Sequence, residues 1–114
     1  LRAWWKEDRG VTQRFWNQVL GKYGEAPAEC TPNISLSIIL MHLQSASMLA
    51  ILPLQDYLSL KPELCMEDPD KERINIPAIS PFHWRFRMKT TIEELINDDI
   101  TGYIRSLIRD CGRK

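Results

Sequence analysis

The sequence predicts a mostly α-helical chain carrying one or two short strands. Two observations predict it. Apolar residues recur at helical spacing in several segments, two of them opened by strong start signals at Thr31-Pro32 and Thr91. Against that background, Met48 to Leu52 is a continuous apolar run of the kind found in strands buried on both faces.

Leu1 to Lys6, with Trp4-Trp5, reads as the end of a helix broken at Arg9-Gly10. From Val11, apolar residues fall at Phe15 and Val19, flanked by Trp16 and Leu20. That spacing is helical, and Gly21 is placed to end the helix. "GKYGEAPAEC" is loop by composition. Thr31 can cap the next helix, and Pro32 suits its first position, where a missing N–H leaves no bond unmade. This helix, running to about Gln44, is apolar at Ile34, Leu36, Ile38, Ile39, Leu40, Met41 and Leu43. The stripe is wide and predicts cover on more than one side.

Met48 to Leu52 reads as a buried strand that Pro53 ends, because proline cannot donate to a central ladder. Gln55 to Leu60 reads as a short helical turn and "KPELCMEDPDKE" as loop. The last segment keeps one face apolar from Ile92 through Ile100 to Ile108. Thr91 and Glu94 make a capping box; acidic residues lie early and Arg105 and Arg109 late, as the helix dipole favours. Gly102, or the Asn97-Asp98-Asp99 run, is where this helix would split. A lone parallel strand cannot satisfy its own backbone groups, so the chain reads as a piece built to sit beside strands supplied by more chain. It opens on Leu1 rather than Met, which fits the same expectation.

The bulk numbers exclude several classes. The 114 residues suit one ordinary domain, and 44% hydrophobic content permits a core. A formal net charge of zero disfavours nucleic acid as the partner of the whole chain. No apolar stretch is long enough for a membrane span. Cys30, Cys65 and Cys111 lack zinc-site spacing and read as three reduced thiols of a cytoplasmic protein. There is no Gly-rich phosphate loop, and no metal or cofactor is expected.

Glu93-Glu94 and Asp98-Asp99 have the residue types of a glycosidase carboxylate pair, but both fall on a polar helix face and read as solvated. Asp68 and Asp70 flank Pro69 as turn residues. His42 reads as helix packing, and His83 has no motif partner. Asp56, with Gln55, directly follows the apolar run and Pro53. Ligands gather beyond the carboxyl ends of parallel strands, so Asp56 is a candidate binding residue; a cap of the following helix is the equal alternative. In "RINIPAISPFHWRFRM", Trp84 and Phe86 alternate with Arg85 and Arg87. Three readings stay open for it: a half-buried edge with a solvated arginine face, a nucleic-acid stacking surface, or the wall of a sugar site. Asn75 supplies an amide donor and acceptor just before Pro77, which suits sugar hydroxyls, and the Trp84 indole suits a sugar ring face.

"SMLAILPLQDYLSL", followed by "ERINIPA" and "HWRFRM", resembles the C-terminal end of the 4-alpha-glucanotransferases of glycoside hydrolase family 77, the amylomaltases and disproportionating enzymes. "LRAWWKEDR", "GEAPAECTP" and "IRDCGRK" resemble the longer branch of that family, in the same order. The resemblance implies the C-terminal part of an elaborated (β/α)8 barrel, a single segment spanning 1–114 of a larger catalytic domain. It implies a retaining transfer of α-1,4-glucan segments through a covalent ester, with an acceptor sugar in place of water. The family's three catalytic carboxylates precede the part this chain resembles, so no catalytic residue is expected here. The implied partners are α-1,4-glucans, malto-oligosaccharides and the upstream part of the same barrel. Asn75 matches the family's asparagine at the sugar cleft, and Trp84 and Asp56 join it as substrate-binding candidates. The branch usually reads Pro-Ala-Asn-Pro and His-Tyr-Trp where this chain has Pro77-Ala78-Ile79-Ser80 and Phe82-His83-Trp84. Alone, the fragment is expected to be inactive, and to self-associate or rearrange into a mostly helical fold. The alternative is an independent helical interaction module with an Arg/aromatic edge for nucleic acid.

Overall fold

A computed structural model describes residues 1–76 and 86–113. Two short helices open the chain, α1 (Arg2–Glu7) and α2 (Arg9–Arg14). The break falls at Asp8, just ahead of the Arg9-Gly10 position expected from sequence. Asp8 is extended, and its carboxylate accepts from the Gly10 and Val11 N–H groups at 2.8 and 3.0 Å. An N-cap carboxylate at this point satisfies donors that no helical carbonyl can reach. The helix widens into a π-turn over Phe15–Val19, and Gly21, at φ +63°, turns the chain out of it as expected.

Trp5 anchors the core. It is fully buried with Ala26, Ile34 and Ile38, and Leu1, Phe15, Trp16, Leu20 and Cys30 pack around them. Its indole N–H donates to the Pro27 carbonyl at 2.9 Å, so burial of the ring leaves no donor unmade. Trp4 and Phe15 meet edge to face at 5.4 Å. The core-side helix is α3 (Pro32–Leu43), capped by Thr31 with Pro32 at its first position, as the sequence predicts. It buries Ile34, Ser35, Ile38, Ile39 and Leu43, whereas Met41 and His42 are exposed. His42 is therefore not a packing residue; its ring Nδ1 lies 2.8 Å from the Ile38 carbonyl one turn back.

The expected strand is not formed. Among the described residues there is no strand, and the 48–52 run is irregular, with Met48, Leu49 and Ile51 exposed at 91, 69 and 87%. A strand is stable only where a neighbour takes its N–H and C=O groups, and no described stretch offers such an edge. The second strand, expected from the alternation at residues 84–87, falls partly outside the described residues; Phe86 and Arg87 are irregular.

The run leads into α4 (Leu54–Leu58), followed by 3-10 turns at Pro62–Leu64 and Pro69–Glu72. Asp68 accepts from the Asp70 N–H at 3.0 Å, the turn role expected of it. Two helices close the chain, α5 (Ile92–Asn97) and α6 (Asp99–Asp110). The Thr91/Glu94 capping box forms in both directions. The split falls at Asp98, which is extended and caps α6 through Ile100 N–H at 2.9 Å, while Gly102 stays helical. Asp98 and Asp99 are not merely solvated: Lys61 Nζ holds both Asp98 oxygens at 2.7 and 2.8 Å and Asp99 Oδ1 at 2.6 Å. That ion cluster pins the α5–α6 corner to the end of α4.

Candidate functional site

A cleft of about 360 Å³ lies where α1, the start of α4 and the segment 69–75 converge. It brings together two of the three candidate residues, Asp56 and Asn75, with Gln55 beside them and Trp4 and Ile74 as apolar lining. Trp84, the third, lies outside the described residues, as do His83, Arg85 and Ile79.

Asp56 is placed by the turn into α4. Pro53 precedes the helix and offers no side-chain cap, so Asp56 sits within the first turn and does not cap it. Its carboxylate instead receives the Leu1 nitrogen at 3.1 Å, and its carbonyl accepts the Ser59 hydroxyl. Of the two roles open from sequence, capping is therefore excluded by geometry. Asp56 faces the cleft across from α1.

Asn75 is placed from further away. Arg2 Nη1 donates to Glu72 Oε1 at 2.6 Å and to the Met66 carbonyl at 2.9 Å, and Glu72 Oε1 also accepts the Met66 N–H at 2.9 Å. Charge-assisted bonds of this kind are the strong ones, and both side chains are largely shielded from water. Gln55 donates weakly to the Glu72 carbonyl at 3.4 Å. The chain is thus fixed at Glu72, and Asn75 follows three residues later as an exposed side chain on the cleft rim. Arg73, between them, lies 3.0 Å from Asp70 and 3.7 Å from Glu7, so cationic and anionic groups alternate along this wall.

The arrangement suits binding rather than bond breaking. Glu72 is engaged by Arg2, so it does not stand with Asp56 as an acid and base pair across open space. Cys30 and Cys65 are free but blunted: burial pushes their pKa values up, away from the reactive thiolate. Burial, with the nearby Asp56 charge, raises Tyr57 as well. Among the described residues, no cluster of three or more metal-ligating side chains occurs. No helix among them is long and apolar enough to cross a membrane.

Sequence reasoning passes over Arg2 and Glu72. No local pattern marks a pair separated by 70 positions; only the opposite charges hint at it.

Comparisons with known proteins bear on what such a cleft serves. Residues 1–93 match the family model described as 4-alpha-glucanotransferase. The chain is 41% identical to the "4-alpha-glucanotransferase DPE2" of Oryza sativa subsp. japonica over 99% of its own length, and covers 12% of that protein. It is 30% identical to a 4-alpha-glucanotransferase of Chlamydia pneumoniae, with 92% of this chain and 20% of that protein aligned. A third, from Chlamydia trachomatis, is 35% identical over 83% of this chain and 18% of its own. The chain therefore spans a fifth or less of these relatives. No solved structure matches it significantly.

Proposed function

The chain belongs to the 4-alpha-glucanotransferase family, glycoside hydrolase family 77, and from that premise we propose that it is the C-terminal segment of such an enzyme, acting in the cytoplasm on α-1,4-glucans and malto-oligosaccharides. It completes the end of an elaborated (β/α)8 barrel and forms one wall of the glucan cleft. The observation that carries this reading is the convergence of Asp56 and Asn75 on one cleft beside Trp4. Amide and carboxylate groups at the rim of a partly apolar cleft match a sugar, which presents hydroxyls at its edge and C–H groups on its face.

The parent enzyme cleaves a glucan bond by the retaining route. A carboxylate takes the glycosyl group as an ester while a carboxylic acid protonates the leaving oxygen; a sugar 4-hydroxyl then displaces the ester, giving its proton back to the second carboxylate. Those carboxyl groups lie in preceding parts of the parent. This chain binds: Asn75 accepts and donates to sugar hydroxyls, Asp56 accepts from them, and Trp84 stacks on a ring. The exposed apolar run 48–52 is the surface that meets the rest of the barrel, which accounts for its exposure here. The nucleic-acid alternative loses ground on the zero net charge and on family membership.

Incubation with maltotriose tests the reading. The full-length protein is expected to release glucose and longer oligomers, and residues 1–114 alone to leave maltotriose unchanged. Glucose from the isolated chain, or none from the full-length protein, would overturn it.

A further inference from the structure

The end of α6 is shaped to deliver one side chain. Gly112 has φ +72°, its N–H donates to the Arg109 carbonyl at 2.8 Å, and the Arg113 N–H donates to the Ile108 carbonyl at 3.1 Å. These two bonds define a Schellman turn, which reverses the chain at the glycine. The turn directs Arg113 back across the molecule to the end of α3. There Arg113 Nε donates to the Leu43 carbonyl at 2.5 Å, and Nη2 donates to the carbonyls of Ser45 at 2.9 Å and Ser47 at 3.0 Å, with the Ser45 hydroxyl at 3.4 Å. The partners lie 66 to 70 positions away in sequence.

Helix-end carbonyls have no intrahelical donor, and a cation there also meets the negative end of the helix dipole. One planar guanidinium holding three carbonyls of the same turn does more than cap a helix. It fixes the path by which the chain leaves α3. That path is the covalent route from α3 to the cleft: Ser47 leads into the irregular 48–52 run, and the run leads into α4 with Gln55 and Asp56. Leu43, Met48, Tyr57, Ile108 and Arg113 also share the lining of one hollow, so the clamp and the residue next to Asp56 face the same space.

We propose that Arg113 is a positioning residue for the glucan cleft. Its grip on Leu43, Ser45 and Ser47 sets where the 48–52 run begins, and thereby where α4 presents Asp56. The reaching side chain is the remote group, and the substrate never touches it. The proposal rests on the glucan-transfer reading for its effect on activity, but not for the clamp itself.

The test uses the full-length protein with Arg113→Ala, Arg113→Lys, Gly112→Ala and, as a control on the same helix, Arg109→Ala. Two quantities are read: amide hydrogen exchange in a peptide spanning residues 44–52, and transfer kinetics on maltotriose. Arg113→Ala should speed exchange roughly tenfold or more, since several charge-assisted bonds are lost together. It should lower kcat/KM about tenfold through misplacement of a binding group, chiefly by raising KM. Lysine places its donors on one nitrogen and cannot reproduce the spread of Nε and Nη2 over three carbonyls, so Arg113→Lys should fall between. Gly112→Ala strains the left-handed turn without filling space, and should shift both readouts in the same direction. Unchanged exchange in Arg113→Ala, or equal acceleration in Arg109→Ala, would overturn the clamp. Faster exchange in a protein that transfers no glucan in any form would uphold the clamp and remove the glucan reading instead.

Discussion

Arg2 and Glu72 meet at 2.6 Å across 70 positions of sequence, and their contact fixes the wall on which Asn75 stands. The first helix and the last turn before "RINIP" thereby become one unit. Glu72 makes the joint rigid because the same oxygen also takes the Met66 N–H.

Loss of this joint should be costly. Arg2→Ala leaves a shielded carboxylate with only a backbone donor, and should lower the stability of the full-length protein by about 1–3 kcal/mol. Glu72→Gln keeps an acceptor for both donors and should cost less. The double variant should lose less than the sum of the two, because the residues share one network. Urea denaturation of the four proteins checks this; strictly additive losses would mean that the pair does not act as a pair.

Asn75→Ala should weaken glucan binding without disturbing the fold, since the side chain is exposed. Removing one neutral hydrogen-bonding group costs about 0.5–1.5 kcal/mol, which corresponds to a rise in KM of roughly 2- to 13-fold. Steady-state kinetics on maltotriose read it directly. A tenfold drop in kcat at constant KM would assign Asn75 to the chemical step instead.

The Lys61–Asp98–Asp99 cluster carries a pH signature. Lys61, and then the Ile100 N–H, hold the Asp98 pKa down to about 2. A depressed folded-state value means that the contribution is fully present above the unfolded value near 3.9 and is lost as pH falls through about 2. On the alkaline side Lys61 is raised by its hydrogen bonds to Asp98 and Asp99, so its contribution persists below the unfolded lysine value and fades only as pH rises beyond it. Between about pH 5 and 9 the corner should be indifferent to pH. A carboxyl-carbon NMR titration of Asp98 should show its midpoint near 2 in the native chain and a higher midpoint in Lys61→Met, still held down by the Ile100 N–H.

The isolated chain should self-associate through the open surface of Met48, Leu49 and Ile51. Light scattering after size exclusion should show species larger than a monomer. Met48→Asp with Ile51→Asp should shift them toward monomer. An unmodified chain that runs as a monodisperse monomer would contradict this.

Helix boundaries are the most legible part of the fold. Thr31-Pro32, the Thr91/Glu94 box and Gly21 act within one turn of their own position, so local chemistry decides them. The 48–52 run misleads because a strand is a property of two partners, and its apolar residues describe only one of them. Asp98 reads as surface from sequence because its neighbour Lys61 is 37 positions away. In the cleft, Asp56 and Asn75 can each be picked out, one by its place after an apolar run and the other by its amide chemistry and by resemblance. Their convergence depends on Arg2 and Glu72, which no short pattern announces.

Hydrogen exchange of the full-length protein with and without a saturating malto-oligosaccharide such as maltoheptaose tests directly whether this chain lines the glucan cleft. Slower exchange is expected in peptides covering residues 55–58 and 73–76, and no change over α6. Protection elsewhere in the protein with none at Asp56 or Asn75 would show that this chain does not line the glucan site.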